Sequence, residues 1–146
     1  MTGVTVMHKV EFLTRASFGP AEKDGFFRFN EDFSLRYRGE VYAVPAGFET
    51  DGASIPGVLT LVCGSKHRKP RCFAAYVHDF LYSGGDPEVG RAEADDLYRD
   101  LQIGLGVARW KAYLEWGVLR LFGWTHWQKR RRSGILSASQ RKASER

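Results

Sequence analysis

The feature that most constrains this chain is a change in the spacing of its apolar residues. Before Thr50 they recur every second position, and after Cys72 they recur every third or fourth. Phe33-Ser34-Leu35-Arg36-Tyr37 alternates apolar and polar, as a half-buried strand does. Arg38-Gly39-Glu40 supplies turn chemistry and Val41-Tyr42-Ala43-Val44 resumes the pattern, which predicts a hairpin. Val10 to Leu13 and Phe48 to Thr50 are further short extended pieces, with Pro45 and Gly47 breaking the chain between the second of these and the hairpin. Beyond the loops, Cys72, Phe73, Tyr76, Val77, Phe80 and Leu81 fall at steps of one, three and four, the pattern of a buried helix. Gly84-Gly85-Asp86-Pro87 ends it. A second helix is expected from Arg91 to Leu105, closed by Gly104 and Gly106. A third runs from Ala108 to Phe122, with Trp110, Tyr113, Leu114, Val118 and Leu121 on a stripe read as facing the core. The fold class expected is α+β: a small N-terminal antiparallel β-sheet or hairpin followed by a three-helix bundle.

At 146 residues the chain is expected to form one globular domain over residues 1–128, with a β part at about 8–50 and a helical part at about 72–123. A hydrophobic share of 43% beside 27% charged residues sets aside wholesale disorder, collagen and coiled coil. The longest clear apolar run, Val58 to Cys63, is far too short for a transmembrane segment, and Met1 to Val10 lacks a signal-peptide layout. Two cysteines make no disulfide framework, which fits synthesis in a reducing cytoplasm.

The net charge of +5 belongs to the end of the chain. Lys129, Arg130, Arg131, Arg132, Arg141, Lys142 and Arg146 stand against Glu145, and the body before them is close to neutral. A tail of this kind, residues 129–146, suits nucleic acid, anionic lipid or an acidic partner. With so few apolar residues, a flexible solvated terminus is the preferred expectation. The chain shows no helix-turn-helix or zinc-finger pattern, so nucleic acid enters only through the tail.

Chemistry concentrates in Val77-His78-Asp79-Phe80-Leu81-Tyr82. His78 and Tyr82 are four apart and share a helix face, and Asp79 lies about 100° round from His78. A histidine and an aspartate inside an apolar helix need partners. Asp95 and Asp96 on the next helix supply them, and helix phase alone leaves open which one faces His78. A carboxylate on one imidazole nitrogen sets the tautomer and leaves the other nitrogen as a base. The same pair serves equally well as a plain polar tie. Upstream, Asp51 and Ser54 sit in a turn-rich stretch, where they are expected to rigidify the loop.

Three motifs in order carry a resemblance: Thr50-Asp51-Gly52-Ala53-Ser54-Ile55-Pro56, then Ala75 to Tyr82 with its His78-Asp79-x-x-Tyr82, then Arg91 to Tyr98 with its Ala94-Asp95. Together with Phe122-Gly123 and Trp127 they resemble a bacteriophage and prophage protein family of unknown function. The resemblance implies phage or prophage origin, synthesis in the host bacterial cytoplasm, and incorporation into a virion beside other phage structural proteins. More distantly, the two helical motifs are similar to the paired helices of phospholipase A2, above all its compact viral and microbial forms. That resemblance implies His78 as the base activating water, Asp95 orienting it, Tyr82 supporting the aspartate, and Asp79 as a calcium ligand. Calcium would then polarise a phospholipid ester. It also calls for a glycine-rich loop completing the calcium shell. Val62-Cys63-Gly64-Ser65 is the nearest stretch, and Gly64 is its one glycine.

Other readings of these residues carry less. Cys63, His67, Cys72 and His78 do not have the spacing of a known zinc ribbon or finger. A metal phosphohydrolase built on His67, His78-Asp79 and Asp95 or Asp96 would be all-helical, against the β half. Trp124 and Trp127, next to Lys129, Arg130, Arg131 and Arg132, are the candidate interface aromatics, whereas Trp110 is expected in the core. The leading expectation is a small phage structural or assembly protein, tail-associated, with a buried His-Asp-Asp-Tyr group. The alternative is a calcium-dependent, phospholipase A2-like ester hydrolase acting on host membrane.

Overall fold

A computed structural model describes residues 5–51, 69–85, 88–125 and 127–128 of the chain. Seven short strands come first: β1 (Thr5–Met7), β2 (Val10–Phe12), β3 (Phe18–Pro20), β4 (Phe27–Phe29), β5 (Phe33–Tyr37), β6 (Glu40–Val44) and β7 (Glu49–Thr50). Three helices follow: α1 (Lys69–Tyr82), α2 (Arg91–Gly104) and α3 (Arg109–Phe122). The strands form two antiparallel sheets, ordered β1-β2-β5-β6 and β3-β4-β7. This is the expected α+β arrangement, with two sheets where one was expected.

The β5–β6 hairpin lies where its alternation placed it. Phe33 pairs with Val44 and Leu35 with Tyr42, and all four are buried. Arg38 (φ 52°) and Gly39 (φ 80°) both take left-handed backbone, the conformation a two-residue turn needs to match the twist of its strands. The strands β1, β3 and β4 were not anticipated. Each has three residues, too few to show a period, and Phe18-Gly19-Pro20 reads as a turn.

Helix α1 is buried on every side from Phe73 to Tyr82, because it lies between the sheets and the other helices. One face is aromatic. Phe73 meets Phe33 edge-on at 5.0 Å, Tyr76 stacks on Phe27 at 5.2 Å, and Phe80 meets Phe48 at 5.0 Å. The opposite face turns His78 and Tyr82 toward α2. The first sheet also leans on α2, where the Tyr37 hydroxyl donates to Asp100 and the Tyr42 hydroxyl to Glu93.

Helix α3 corrects the expected stripe. It buries Ala112, Glu115 and Leu119, whereas Trp110, Tyr113, Leu114 and Leu121 point outward and Val118 is half-buried. Trp110, expected in the core, is 60% exposed. The reason lies on α2. Tyr98 donates to Glu115, drawing that carboxylate inward, and the small Ala112 fits against the neighbouring helix. Counting apolar residues therefore selected the wrong face.

Candidate functional site

The site is assembled on one carboxylate. Asp95, on the inner face of α2, has no solvent exposure. His78 Nε2 lies 2.8 Å from its Oδ1, and the Tyr82 hydroxyl donates to the same oxygen at 2.6 Å. Arg120 Nη1, from α3, donates to Oδ2 at 3.1 Å, and Arg91, one turn earlier on α2, holds its guanidinium 3.6 Å from that oxygen. All three helices thus meet at Asp95. An ionised carboxylate only accepts, so Nε2 carries the proton in the His78 bond. The imidazole is fixed by this bond and by the Tyr82 and Tyr98 rings, whose centroids are 4.0 and 5.0 Å away.

Burial pushes the Tyr82 hydroxyl well above the usual phenol range, and the neighbouring Asp95 charge pushes it the same way. Tyr82 therefore stays a neutral donor. Trp127 closes over it edge-on at 5.1 Å. Gly123 lies against the same hydroxyl: a Cβ there would lie 2.6 Å from the Leu119 carbonyl and 2.9 Å from the Tyr82 hydroxyl.

Of the two aspartates that phase left open, Asp95 is the one that faces His78. Asp96 points elsewhere, accepting from Trp116 Nε1 at 2.7 Å and Arg38 Nη1 at 3.0 Å. Asp79 is separate as well. Turned about 100° from His78, its buried carboxylate accepts from the Thr50 hydroxyl at the end of β7. Asp51 follows β7 and is half-buried. Ser54, Cys63, Gly64, His67, Lys129, Arg130, Arg131 and Arg132 lie outside the described residues. Trp124 is exposed, whereas Trp127 belongs to the packing around Tyr82.

Arg91, Arg120 and Thr50 were missed as partners. The i,i+4 spacing of Arg91 to Asp95 was a legible signal. Arg120 and Thr50 reach their partners across 25 and 29 residues of chain, and nothing local announces them.

Calcium takes six to eight oxygens, several of them from carboxylates. Among the described residues, no group of three or more His, Cys, Asp or Glu is placed to hold a metal, and Asp79 spends a carboxylate oxygen on Thr50. The described donors do not fit a calcium shell. His78 likewise commits Nε2 to Asp95, so that nitrogen is not a zinc ligand.

Among the described residues, no helix is long and apolar enough to cross a membrane. No solved structure matches the chain. It is similar to the uncharacterized protein y4jT of Sinorhizobium fredii (strain NBRC 101917 / NGR234), with 29% identity over 135 residues. That alignment covers 84% of this chain and 39% of the relative, so the chain spans about two-fifths of that protein's length. The model of a family described as protein of unknown function (DUF1353) matches residues 27–118, which hold His78, Asp79, Tyr82, Arg91 and Asp95 and stop short of Arg120. That match takes in well over half of the sequence, and the chain belongs to the DUF1353 family.

Proposed function

We propose that the chain is a small phage- or prophage-encoded assembly component in which His78, Tyr82 and Asp95 form a structural tie. One observation carries the tie: a carboxylate without solvent exposure takes donors from all three helices. Arg91 and Arg120 share its charge, so less of that charge is left to stabilise an imidazolium, which a general base needs. The phage assignment is supported by the ordered motifs from Thr50 to Tyr98. On this reading the protein is made in the host cytoplasm and joins other virion proteins.

A second reading is favoured by a specific feature. Asp95 on His78 with Tyr82 supporting the aspartate is the grouping the phospholipase resemblance implies, and with Nε2 engaged by Asp95 any base role falls to Nδ1. The two readings separate in one experiment. Purified protein and its His78→Gln variant are unfolded in urea and incubated with phosphatidylglycerol vesicles, with and without calcium. A tie predicts no fatty-acid release by either protein and a loss of about 2–4 kcal/mol in the variant. Release by the parent protein, abolished in a variant that keeps its stability, overturns the tie and makes the chain a hydrolase.

A further inference from the structure

The outer face of α3 is unusual for a helix packed on a protein body. Trp110, Leu114, Leu121 and Trp124 are 60%, 39%, 71% and 51% exposed. They fall at steps of four, seven and three, within an arc of about 80°. The arc continues past the end of α3 because Gly123 keeps helical backbone (φ −78°, ψ −12°) and Trp127 N bonds back to its carbonyl. Tyr113 lies along the edge of the stripe, and Phe122 is exposed at its end. Trp110, Tyr113, Leu114, Leu121 and Trp124 together leave roughly 600 Å² of largely apolar surface, at the upper end of what a monomer ordinarily exposes in one patch.

The charges that α3 itself carries beside this stripe are basic. Arg109 is exposed at its start, and Lys111 holds its ammonium 5.5 Å from the Trp110 ring. The one acid in α3, Glu115, is buried on the opposite side. Directly after Gln128 come Lys129, Arg130, Arg131 and Arg132. A second copy docked antiparallel on this stripe would bring Arg109 and Lys111 against the partner's own basic end. Nucleic acid would satisfy the cations but not Leu114, Leu121 and Phe122.

From this combination we infer that the outer face of α3 is a peripheral docking surface for an anionic lipid bilayer. Tryptophans and leucines enter the headgroup boundary, and the flanking cations meet the lipid phosphates. The helix lies on the membrane. The inference stands whether His78 is a tie or a base, since His78 meets Asp95, Tyr82 and Tyr98 and the stripe lies on the outer face of α3.

The test uses the full chain with sedimentable vesicles, either phosphatidylcholine alone or phosphatidylcholine with phosphatidylglycerol. Binding is expected to the anionic vesicles, with a blue shift of tryptophan emission, and to fall steeply with salt. Leu121→Glu with Phe122→Glu should lower binding at least tenfold while leaving the urea midpoint unchanged, because both side chains are exposed. Neutralising Lys129 to Arg132 should cost roughly fivefold per cation near the surface. Equal binding to both vesicle types, or binding that survives Leu121→Glu with Phe122→Glu, overturns the inference. So does a dimer, seen by sedimentation velocity without lipid and dissociated by that double variant, in a chain that ignores vesicles.

Discussion

Asp95 shows how much one buried residue can decide. Its two oxygens receive an imidazole, a phenol and two guanidinium groups. A buried carboxylate is tolerable only when compensated this fully. Gly123 is a close-packed point beside it, against the Tyr82 hydroxyl. Gly123→Ala would press a methyl against the Leu119 carbonyl and the Tyr82 hydroxyl. It is expected to cost about 1–3 kcal/mol as an overpacked contact. A drop in the urea midpoint with a disturbed Trp127 fluorescence signal checks it, since Trp127 packs on Tyr82. An unchanged midpoint would mean that the end of α3 yields freely.

Among the elements, the β5–β6 hairpin is the one most completely specified by local sequence. Its alternation places Phe33, Leu35 and Tyr37 inward, and its turn uses two left-handed residues. Gly39, at φ 80°, is the residue the turn most depends on, while nothing crowds its Cβ position. Gly39→Ala should therefore cost about 1 kcal/mol through backbone strain alone. Equilibrium unfolding measures this, and a neutral result would mean that the turn changes type. Helix α3 behaves in the opposite way. Its local pattern favours the face with Trp110 and Leu114, yet α2 draws in Ala112, Glu115 and Leu119.

Across the whole molecule, polar bonds join sheet to helix in addition to the shared aromatic core. Asp100, buried on α2, accepts from Tyr37 on β5 and from Arg99, with His8 Nε2 at 3.3 Å. Burial pushes its carboxyl up, but the bonds from Arg99 and Tyr37 and the nearby positive charges outweigh that and hold it below the usual range. A carboxyl depressed by folding contributes stability that is complete above its unfolded value, about 4, and is lost as pH falls through the folded one. The loss of urea stability between pH 6 and pH 3 should therefore be smaller in Asp100→Asn than in the parent chain. Parallel pH profiles for the two proteins would show that the contact contributes nothing to acid sensitivity.

Local order was written in the sequence by itself: a β part before a helical part, the hairpin register, three helices within a few residues of their ends, and the pairing of His78 with Tyr82 on one face. These follow from periods of two and 3.6 and from glycines at element ends, which act over a few residues. Tertiary structure alone decided the rest. It chose Asp95 over Asp96, brought Arg120 and Thr50 to their carboxylates, divided the strands into two sheets, and turned the aromatic side of α3 to the outside. Each of these outcomes depends on which surfaces the neighbouring elements present, and no spacing along a single helix carries that information.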